Sequence, residues 1–333
     1  MFFRRLRLTI LILTFLSIPV FCSVLIPPDE WYFAGVLTLA IPPVTLFITG
    51  ALIFFARYRS WWAILPVAIL CVAIPLFSTS FSFVQSDQQF TASLHLVTHN
   101  MNALKYYIKR EDFYSNQQAF QGWIAQNDFD IICLQEMVEG KEEPFLIPGY
   151  NKVSSSKNTR LGDHLGLFTF SRYPIVRHGV MEFAFNSYNR LMWADLAIGM
   201  DTLRIINVHL MSYDLKSYSI RQNLSKIRAG LRARSWHAKL IHQFVQQSPY
   251  PVILCGDFNE TPISYPYRKM KSILTDAFAG SGTGFQYSFR YYRLPVRIDH
   301  IFISPSLRAK DYRISHGLPW SDHSPVSARV GKR

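Results

Sequence analysis

Six short segments of the sequence carry polar or charged side chains at or beside apolar runs that are typical of buried strands. A single Asn or Asp after a strand usually forms only a turn, but six such segments in one chain indicate a shared site. The segments are LHLVTHN (94–100), DIICLQE (130–136), LRIINVHL (203–210), VILCGDFN (252–259), RIDHIFIS (297–304) and WSDHSP (320–325). Their side chains of interest are Asn100, Glu136, His209, Asp257, Asn259, Asp299, Asp322 and His323.

Oxygen-bearing side chains in three of these segments suit a hard divalent cation. Glu136 and Asn100 offer the oxygen ligands that Mg²⁺ prefers, and Asp322 is available as a third ligand. The cysteines and histidines lack the spacing of a zinc site. We therefore expect Mg²⁺, or Mn²⁺ in its place, as the cofactor. Such a cation takes up the charge that develops when a phosphate ester is hydrolysed.

An acid and an amide follow the strand at 252–255. Asp257 can orient or deprotonate a water molecule. Asn259 lies two residues later, and on the same side of an extended segment it can donate its amide hydrogens to a phosphoryl oxygen. The pair predicts a general base and a phosphate contact.

Two histidines complete the set. We expect His323 to pair with Asp299 across a sheet, because a carboxylate sets the tautomer of an imidazole and favours its charged form. His209 is the second candidate. In a regular strand we expect Asn207 and His209 to face opposite ways, so that only one of them points into the site. We choose His209.

The motifs THN, LQE, NVHL, GDFNETP, RIDHIF and SDHSPV, in this order, resemble the endonuclease/exonuclease/phosphatase superfamily. That superfamily includes exonuclease III, deoxyribonuclease I and neutral sphingomyelinases, and the resemblance covers roughly residues 92–330. It implies an α/β (α+β) fold, a four-layer α/β/β/α sandwich with two packed mixed sheets. It also implies divalent-metal-dependent hydrolysis of phosphoesters.

The resemblance implies a role for each matching residue. Glu136 matches the metal carboxylate, with Asn100 as its neighbour, and His209 matches the residue that helps the transition state or the leaving group. The remaining matches are Asp257 and Asn259 as base and phosphate contact, and Asp299 with His323 as a dyad. His209 stands where abasic endonucleases usually place tyrosine, which favours the deoxyribonuclease-like and sphingomyelinase-like branches.

Residues 1–85 differ in composition from the rest of the chain. No charged residue occurs in 8–26, 31–56 or 61–77, and each stretch approaches the roughly 20 residues that cross a bilayer as a helix. We therefore expect a membrane anchor of three transmembrane helices, a linker at 86–93 and a catalytic domain at 94–333. A cleaved signal peptide is the alternative for the first stretch, but no small-x-small cleavage site follows it.

The charges flanking these stretches predict their orientation. Arg4, Arg5 and Arg7 precede the first stretch, and Arg57 and Arg59 follow the second, so by the positive-inside rule these ends face the cytoplasm. We expect a multi-pass protein of a bacterial inner membrane, similar to bacterial members of the superfamily, with its catalytic domain facing the periplasm or exterior. The formal net charge of +13 favours a polyanionic partner, either nucleic acid or phospholipid headgroups.

Two further features bear on the substrate. Basic residues between apolar positions in 221–245 can hold phosphates or lie on anionic headgroups, or simply face solvent. The alternating rings of Phe285, Tyr287, Phe289 and Tyr291 can stack on bases or face lipid, although such a stripe is more often part of a core. The leading hypothesis is a membrane-anchored, Mg²⁺-dependent phosphodiesterase. The alternative is a catalytically degenerate, membrane-tethered binding module for nucleic acid or anionic lipid.

Overall fold

The structure is a computed structural model that describes residues 2–82, 93–105, 110–140, 144–158, 164–183, 188–213, 219–291 and 294–333. Its helices are α1 (Phe2–Leu16), α2 (Ile18–Cys22), α3 (Tyr32–Leu39), α4 (Ile41–Arg57), α5 (Ile64–Phe77), α6 (Phe113–Asn127), α7 (Ile220–Gln246), α8 (Tyr265–Lys271) and α9 (Ala277–Ser281). Short 3-10 turns cover Ser23–Leu25, Trp61–Ala63, Asn102–Lys105 and Arg110–Asp112.

The strands fall into two large sheets and two short antiparallel pairs. They are β1 (Phe81–Ser82), β2 (Leu94–Asn100), β3 (Ile131–Glu139), β4 (Asn151–Asn158), β5 (His164–Ser171), β6 (Ile175–Glu182), β7 (Arg190–Ile198), β8 (Asp201–His209), β9 (Val252–Asp257), β10 (Thr275–Asp276), β11 (Gly284–Phe285), β12 (Phe289–Tyr291), β13 (Leu294–Val296), β14 (Asp299–Ile303), β15 (Leu307–Ile314) and β16 (Val326–Lys332). One six-stranded sheet has the order β15-β16-β2-β3-β5-β4, and the other has the order β10-β14-β9-β8-β7-β6. The short pairs are β1 with β11 and β12 with β13.

Each large sheet is mixed and contains one parallel pair at its centre. In the first sheet β2 runs parallel to β3, and in the second β8 runs parallel to β9. Because the carboxyl ends of parallel neighbours lie at the same edge, each sheet delivers two strand ends to one edge. These central strands are buried throughout most of their length, which explains their continuous apolar runs.

The hydrophobic core consists of layers on and between the sheets. Apolar side chains from both sheets fill the space between them, among them Leu96, Cys133, Ile205 and Cys255. On the outer face of the first sheet, Phe120 of α6 packs with a second apolar cluster. On the outer face of the second sheet, the carboxyl-terminal part of α7 brings Phe244 to 6.2 Å from the Trp193 ring. The predicted α/β/β/α sandwich with two mixed sheets is therefore confirmed.

The chain divides into two compact units. One unit contains residues 1–80, 213–236 and 262–268, and the other contains residues 81–212, 237–261 and 269–333. Two later segments thus belong to the same unit as the amino-terminal helices. The boundaries of anchor, linker and catalytic domain at residues 85 and 94 stay predictions. In the first unit, Leu231 lies against Gly35 and the Arg228 guanidinium lies 4.8 Å from the Tyr32 ring centroid. Residues 86–92 of the expected linker lie outside the described residues.

The prediction of three transmembrane helices is wrong in number. By length and composition, the described residues contain one helix able to cross a membrane, Phe2–Leu25, or up to two if the bent pair Tyr32–Leu39 and Ile41–Arg57 is one span. That pair bends by 53°. Pro42 and Pro43 lie in the first turn of α4, where proline begins a helix, so they end the continuous span. The third stretch, Trp61–Phe77, forms only a shorter apolar helix.

Gly256 allows β9 to lie close to β8 beneath the site. Its φ is +140°, and a Cβ there would lie 2.0 Å from the Val208 carbonyl oxygen. We expect Gly256→Ala to lower the free energy of unfolding by about 3 kcal/mol, because backbone strain and overlap add. Gly199→Ala is the control, since Gly199 also has a positive φ of +61° but has nothing within 4 Å of the position that a Cβ would take. Thermal unfolding of both variants measures the difference; equal losses would rule out the steric explanation.

Candidate active site

The site lies where the carboxyl ends of the central strands meet. Asn100 ends β2, and His209 and Asp257 end the neighbouring parallel strands β8 and β9, where they are direct register partners. Asp299 begins the antiparallel strand β14 opposite Asp257. The antiparallel direction therefore brings the first residue of one strand beside the last residue of the next. Sequence segments far apart in the chain converge by this topology.

Glu136 reaches the site by a different route. The sequence suggested that it ends a strand, but β3 continues to Glu139 through a shift of register against β5 between Leu134 and Met137. Within this bulge Glu136 has a positive φ of 49°. A left-handed backbone conformation at a residue other than glycine lowers stability by about 1–2 kcal/mol. The contacts around Glu136 must therefore stabilise its backbone in this conformation.

His323 forms the expected pair with Asp299. The His323 Nδ1 lies 2.9 Å from the Asp299 Oδ2, and both side chains are buried. Burial alone would lower the pKa of His323, but the charge and hydrogen bond of Asp299, with the charges of Asp257 and Asp322, raise it to about 10. Burial alone would raise the pKa of Asp299, but the charge of His323 outweighs burial and holds that pKa below its usual value. At neutral pH the dyad is an imidazolium paired with a carboxylate.

Asp257 is a buried carboxylate at the centre of the site. It accepts hydrogen bonds from the Asn259 backbone N–H at 2.7 Å and from the amide nitrogens of Asn100 and Asn259 at 2.9 and 3.1 Å. Burial and then the charge of Asp299 raise its pKa to about 6, against the opposing charges of His323 and His209 and the Asn100 hydrogen bond. A carboxyl group with this pKa can exchange a proton near neutral pH.

The two predicted amide contacts are oriented differently from expectation. The side-chain Oδ1 of Asn100 accepts the Asn102 backbone N–H, which turns the Asn100 Nδ2 toward Glu136 at 3.1 Å and toward Asp257 at 2.9 Å. Asn259 does not lie in an extended segment, since its φ is 51° and its amide nitrogen donates to the Leu210 carbonyl at 3.0 Å. Asn100 as a metal ligand and Asn259 as a phosphate contact stay predictions.

Asn207 and His209 face the same sheet, so the expectation that they face opposite ways is wrong. Side chains alternate with a period of two, and residues i and i+2 share a face. The Asn207 amide contacts Leu134 of the opposite sheet, at 3.1 Å. The His209 Nε2 lies 3.3 Å from Glu136 Oε1 and 3.8 Å from Asp257 Oδ2.

These side chains form two overlapping groups able to hold a cation. Glu136, His209 and Asp257 form one, and Asp257 shares the other with Asp299 and His323; in each group the ligand atoms lie within 4.8 Å of one another. The buried His209 Nε2 makes no hydrogen bond within the part of the chain that the structure describes. A donor set of carboxylates with an imidazole and an unsatisfied nitrogen fits a divalent ion.

Asp322 does not join either group. Its side chain is exposed, although it follows Ser321 and precedes His323 in the same loop. The neighbouring Ser321 has the contacts instead, since its hydroxyl donates to the Asn100 carbonyl at 2.7 Å and accepts the His323 N–H at 3.0 Å. The assignment of Asp322 to the metal stays a prediction, whereas Ser321 connects the His323 loop to β2.

A second set of contacts that holds the Asp299–His323 dyad was not predicted from the sequence. The buried Ser288 hydroxyl accepts the backbone N–H groups of Ile298 and Asp299, each at 3.1 Å, and the Ser288 carbonyl accepts the Ser324 N–H at 2.7 Å. The next residue, Phe289, places its ring 4.7 Å from the His323 ring. The segment that begins β12 thus holds both members of the dyad. In the sequence, only the alternating aromatic residues drew attention to this segment, because a single serine gives no indication of a structural role.

The alternating rings of that segment are not simply core. Phe285 is exposed, and Phe289 is half-buried beside His323. The Tyr287 ring stacks on the His316 ring at 4.3 Å, and the Arg290 guanidinium lies 4.7 Å from the Tyr287 centroid. The side chain of Tyr291 lies outside the described residues. Phe289 therefore lies beside His323 of the site, and Tyr287 and Arg290 add an aromatic and a cationic group to the same segment.

The dyad predicts how stability depends on pH. Because the folded pKa of His323 is raised from 6.5 to about 10, its contribution to stability is complete below about pH 6.5 and is lost as pH rises through about 10. We expect His323→Gln to lower the melting temperature most at about pH 6 and progressively less up to about pH 10. Thermal unfolding of the full chain in detergent across this range measures the difference. A difference that does not vary with pH would contradict the raised pKa.

Comparison with known proteins identifies the fold and its family. No curated protein matches the chain in sequence. Among solved structures, an endonuclease/exonuclease/phosphatase from Bacteroides vulgatus has a TM-score of 0.57 and 18% identity, over 73% of this chain and 100% of the other. A mannosyl-6-phosphatase from Bacteroides thetaiotaomicron has a TM-score of 0.52 and 20% identity, over 72% and 100% of the two chains.

A third structure contains nucleic acid. The 3′ phosphatase from Neisseria bound to a product DNA hairpin has a TM-score of 0.54 and 20% identity, over 71% of this chain and 98% of the other. At these identities the structures support the fold alone. The model of the Endonuclease/Exonuclease/phosphatase family matches residues 97–323, which include every candidate site residue. The chain therefore belongs to the endonuclease/exonuclease/phosphatase family.

Proposed function

We propose that the protein is a membrane-anchored, divalent-metal-dependent phosphodiesterase. The observation that carries this proposal is the convergence of Glu136, His209, Asp257, Asp299 and His323 at one end of the two sheets. The net charge of +13 supports an anionic substrate, either nucleic acid or phospholipid headgroups. The family supports phosphoester hydrolysis.

The residues divide the reaction among them. Glu136 and His209 would hold a Mg²⁺ or Mn²⁺ ion, which when bound takes up charge from a phosphoryl oxygen. Asp257, with a pKa of about 6, is ionised at neutral pH and takes the proton of the attacking water. The His323 imidazolium, held by Asp299, stabilises negative charge on the transferring phosphoryl group. The alternative role of His209 is to assist the leaving oxygen, which requires that its Nε2 carries a proton and does not bind the ion.

The nature of the ester separates two classes of substrate. A solved relative of similar fold is a 3′ phosphatase bound to DNA, and another is a mannosyl-6-phosphatase, so monoesters belong in the test beside diesters. The Phe289 ring beside His323, followed by the exposed Arg290, favours a substrate with bases or headgroups next to the scissile phosphate. We therefore expect the protein to hydrolyse phosphodiesters faster than phosphate monoesters.

A parallel substrate panel tests the proposal. Full-length protein in detergent is assayed on plasmid DNA, RNA, headgroup-labelled liposomes and a phosphate monoester, each with Mg²⁺ and with chelator. We expect metal-dependent cleavage of a diester, and a steep loss with salt if the substrate is nucleic acid. Cleavage of the monoester alone would change the proposal to a phosphatase. Tight binding with no hydrolysis under any divalent ion would favour the binding module instead.

We propose that the helix at Phe2–Leu25 anchors the protein in the membrane with its amino terminus inside. Arg4 and Arg5 precede the apolar part of this helix, which supports that orientation. One crossing then leaves the catalytic unit facing the periplasm or exterior. A carboxyl-terminal reporter that is active only outside the cytoplasm would support this topology, and one active only in the cytoplasm would overturn it. Cleavage after this helix by signal peptidase would show that the helix is a signal sequence and not an anchor.

A further inference from the structure

A buried amide from the second sheet contacts the bulge that presents Glu136. The Asn207 Nδ2 donates to the Leu134 carbonyl at 3.1 Å and to the Phe168 carbonyl at 3.0 Å. Leu134 and Phe168 are register partners in β3 and β5, and the shift of register begins directly after Leu134. Asn207 therefore holds the backbone on both strands at the point where β3 leaves its regular ladder.

The oxygen of the same amide is also used. The Gln135 Nε2 donates to the Asn207 Oδ1 at 2.7 Å and to the Thr98 hydroxyl at 3.0 Å. With two carbonyls at its nitrogen and a donor at its oxygen, Asn207 has one orientation that satisfies its partners. Thr98, Gln135 and Asn207 are all fully buried, where a lost partner is costly.

Each member of this network lies close in sequence to a site residue. Gln135 directly precedes Glu136, and Asn207 lies two residues before His209 on the same face of β8. The network therefore spans the gap between the two sheets directly beneath the 3.3 Å approach of His209 to Glu136. A shift in one sheet would otherwise change that distance.

We propose that Asn207 is a positioning residue that clamps the β3 bulge and thereby fixes Glu136 relative to His209 and Asp257. The inference rests in part on the proposed function, since Glu136 is taken there as a ligand of the divalent ion. The clamp itself depends only on the contacts of Asn207. An apolar side chain cannot make these contacts, and an aspartate would place a charged acceptor against two carbonyl oxygens.

Two independent readouts test the clamp. In Asn207→Ala we expect faster amide hydrogen exchange at residues 134–137, whether or not metal is present. We also expect affinity for Mn²⁺, measured by electron paramagnetic resonance, to fall by about tenfold, as is typical when a residue that orients a ligand is removed. Asn207→Ser keeps a polar side chain, but its hydroxyl is one bond too short to reach the two carbonyls, so it should show both effects in the same direction as Asn207→Ala.

The control removes a comparable contact elsewhere. The buried Asn116 donates its amide to the Leu104 carbonyl at 3.1 Å and does not contact the bulge. Asn116→Ala should lower the melting temperature but leave both exchange at 134–137 and Mn²⁺ affinity unchanged. If Asn207→Ala does not fold, Asn207→Ser supplies the comparison.

The outcomes separate this inference from the proposed function. Unchanged exchange at 134–137 in Asn207→Ala or Asn207→Ser would overturn the clamp. If unsubstituted protein binds no Mn²⁺, or if Glu136→Gln binds it equally well, the proposed metal site fails while the exchange result still decides the clamp. Faster exchange with unchanged Mn²⁺ affinity would confine the clamp to the backbone and overturn its role in positioning Glu136.

Discussion

Asp257→Ala is expected to lower kcat on a phosphodiester by about a thousandfold, the effect of removing a general base. The Asp257 carboxylate is buried, has a pKa of about 6, and accepts three hydrogen bonds that orient it. No other carboxylate of the described residues lies at the same strand end with both His209 and His323 within 4 Å. Initial rates at saturating Mg²⁺ measure the loss.

The control for this variant is Asp130→Ala. Asp130 accepts the His95 N–H at 2.7 Å just before β3 begins, at the end of that strand away from Glu136. It should lower stability without a large effect on kcat. Equal turnover in Asp257→Ala and the unsubstituted protein would show that Asp257 is not the base.

Asp299→Asn is expected to change both the rate and its pH dependence. Asp299 is the main cause of the raised pKa of His323, so its loss should bring that pKa down and leave the imidazole neutral at about pH 8. We expect kcat to fall by about a hundredfold or more there, because charge stabilisation of the phosphoryl group is lost. The fall should be smaller at about pH 6, where His323 regains its proton.

A pH–rate profile measures this effect directly. The alkaline limb should move to lower pH in Asp299→Asn. In the double variant Asp299→Asn/His323→Ala, the second change should add little, since the two residues act as one unit. An alkaline limb in the same position as in unsubstituted protein would contradict the assignment of His323 as the imidazolium.

The sequence predicts which residues form the site, because the reactive side chains stand at the ends of central strands and the topology brings those strand ends together. Asp257 follows a run of apolar residues that only a covered central strand accommodates, and His209 ends its parallel neighbour. The order of the motifs identified the two-sheet sandwich. The pairing of His323 with Asp299 followed from residue type, because a histidine and a carboxylate in one site favour each other.

The local backbone could not be predicted in the same way. Glu136 and Asn259 both have a positive φ. Asparagine adopts this conformation fairly often, but no sequence pattern of a strand or loop predicts it for a glutamate. The bulge at Glu136 depends on contacts from the other sheet, and these join residues more than 70 positions apart. Asp322 resembled a ligand by type and sequence position, but its side chain is exposed.

Hydropathy overstated the number of membrane spans for a related reason. An uncharged stretch such as 31–56 has enough apolar residues to cross a bilayer, but its average hydropathy does not register the bend that Pro42 and Pro43 mark. The helix break at Ala40 follows from proline at the start of α4. Residues 213–236 join the amino-terminal helices through contacts such as that of Ser235 with Asp29, at 2.5 Å.

The central claim is that a divalent ion held beside Asp257 and His323 allows water to attack phosphorus. The most direct test is hydrolysis of a phosphodiester by full-length protein in ¹⁸O-labelled water, with Mg²⁺, with chelator, and with Glu136→Gln. The account predicts that ¹⁸O enters the phosphate product in Mg²⁺, that chelator stops turnover, and that Glu136→Gln needs more Mg²⁺ for half-maximal turnover. Turnover that persists at the same rate in chelator, or a product without ¹⁸O on phosphorus, would contradict it.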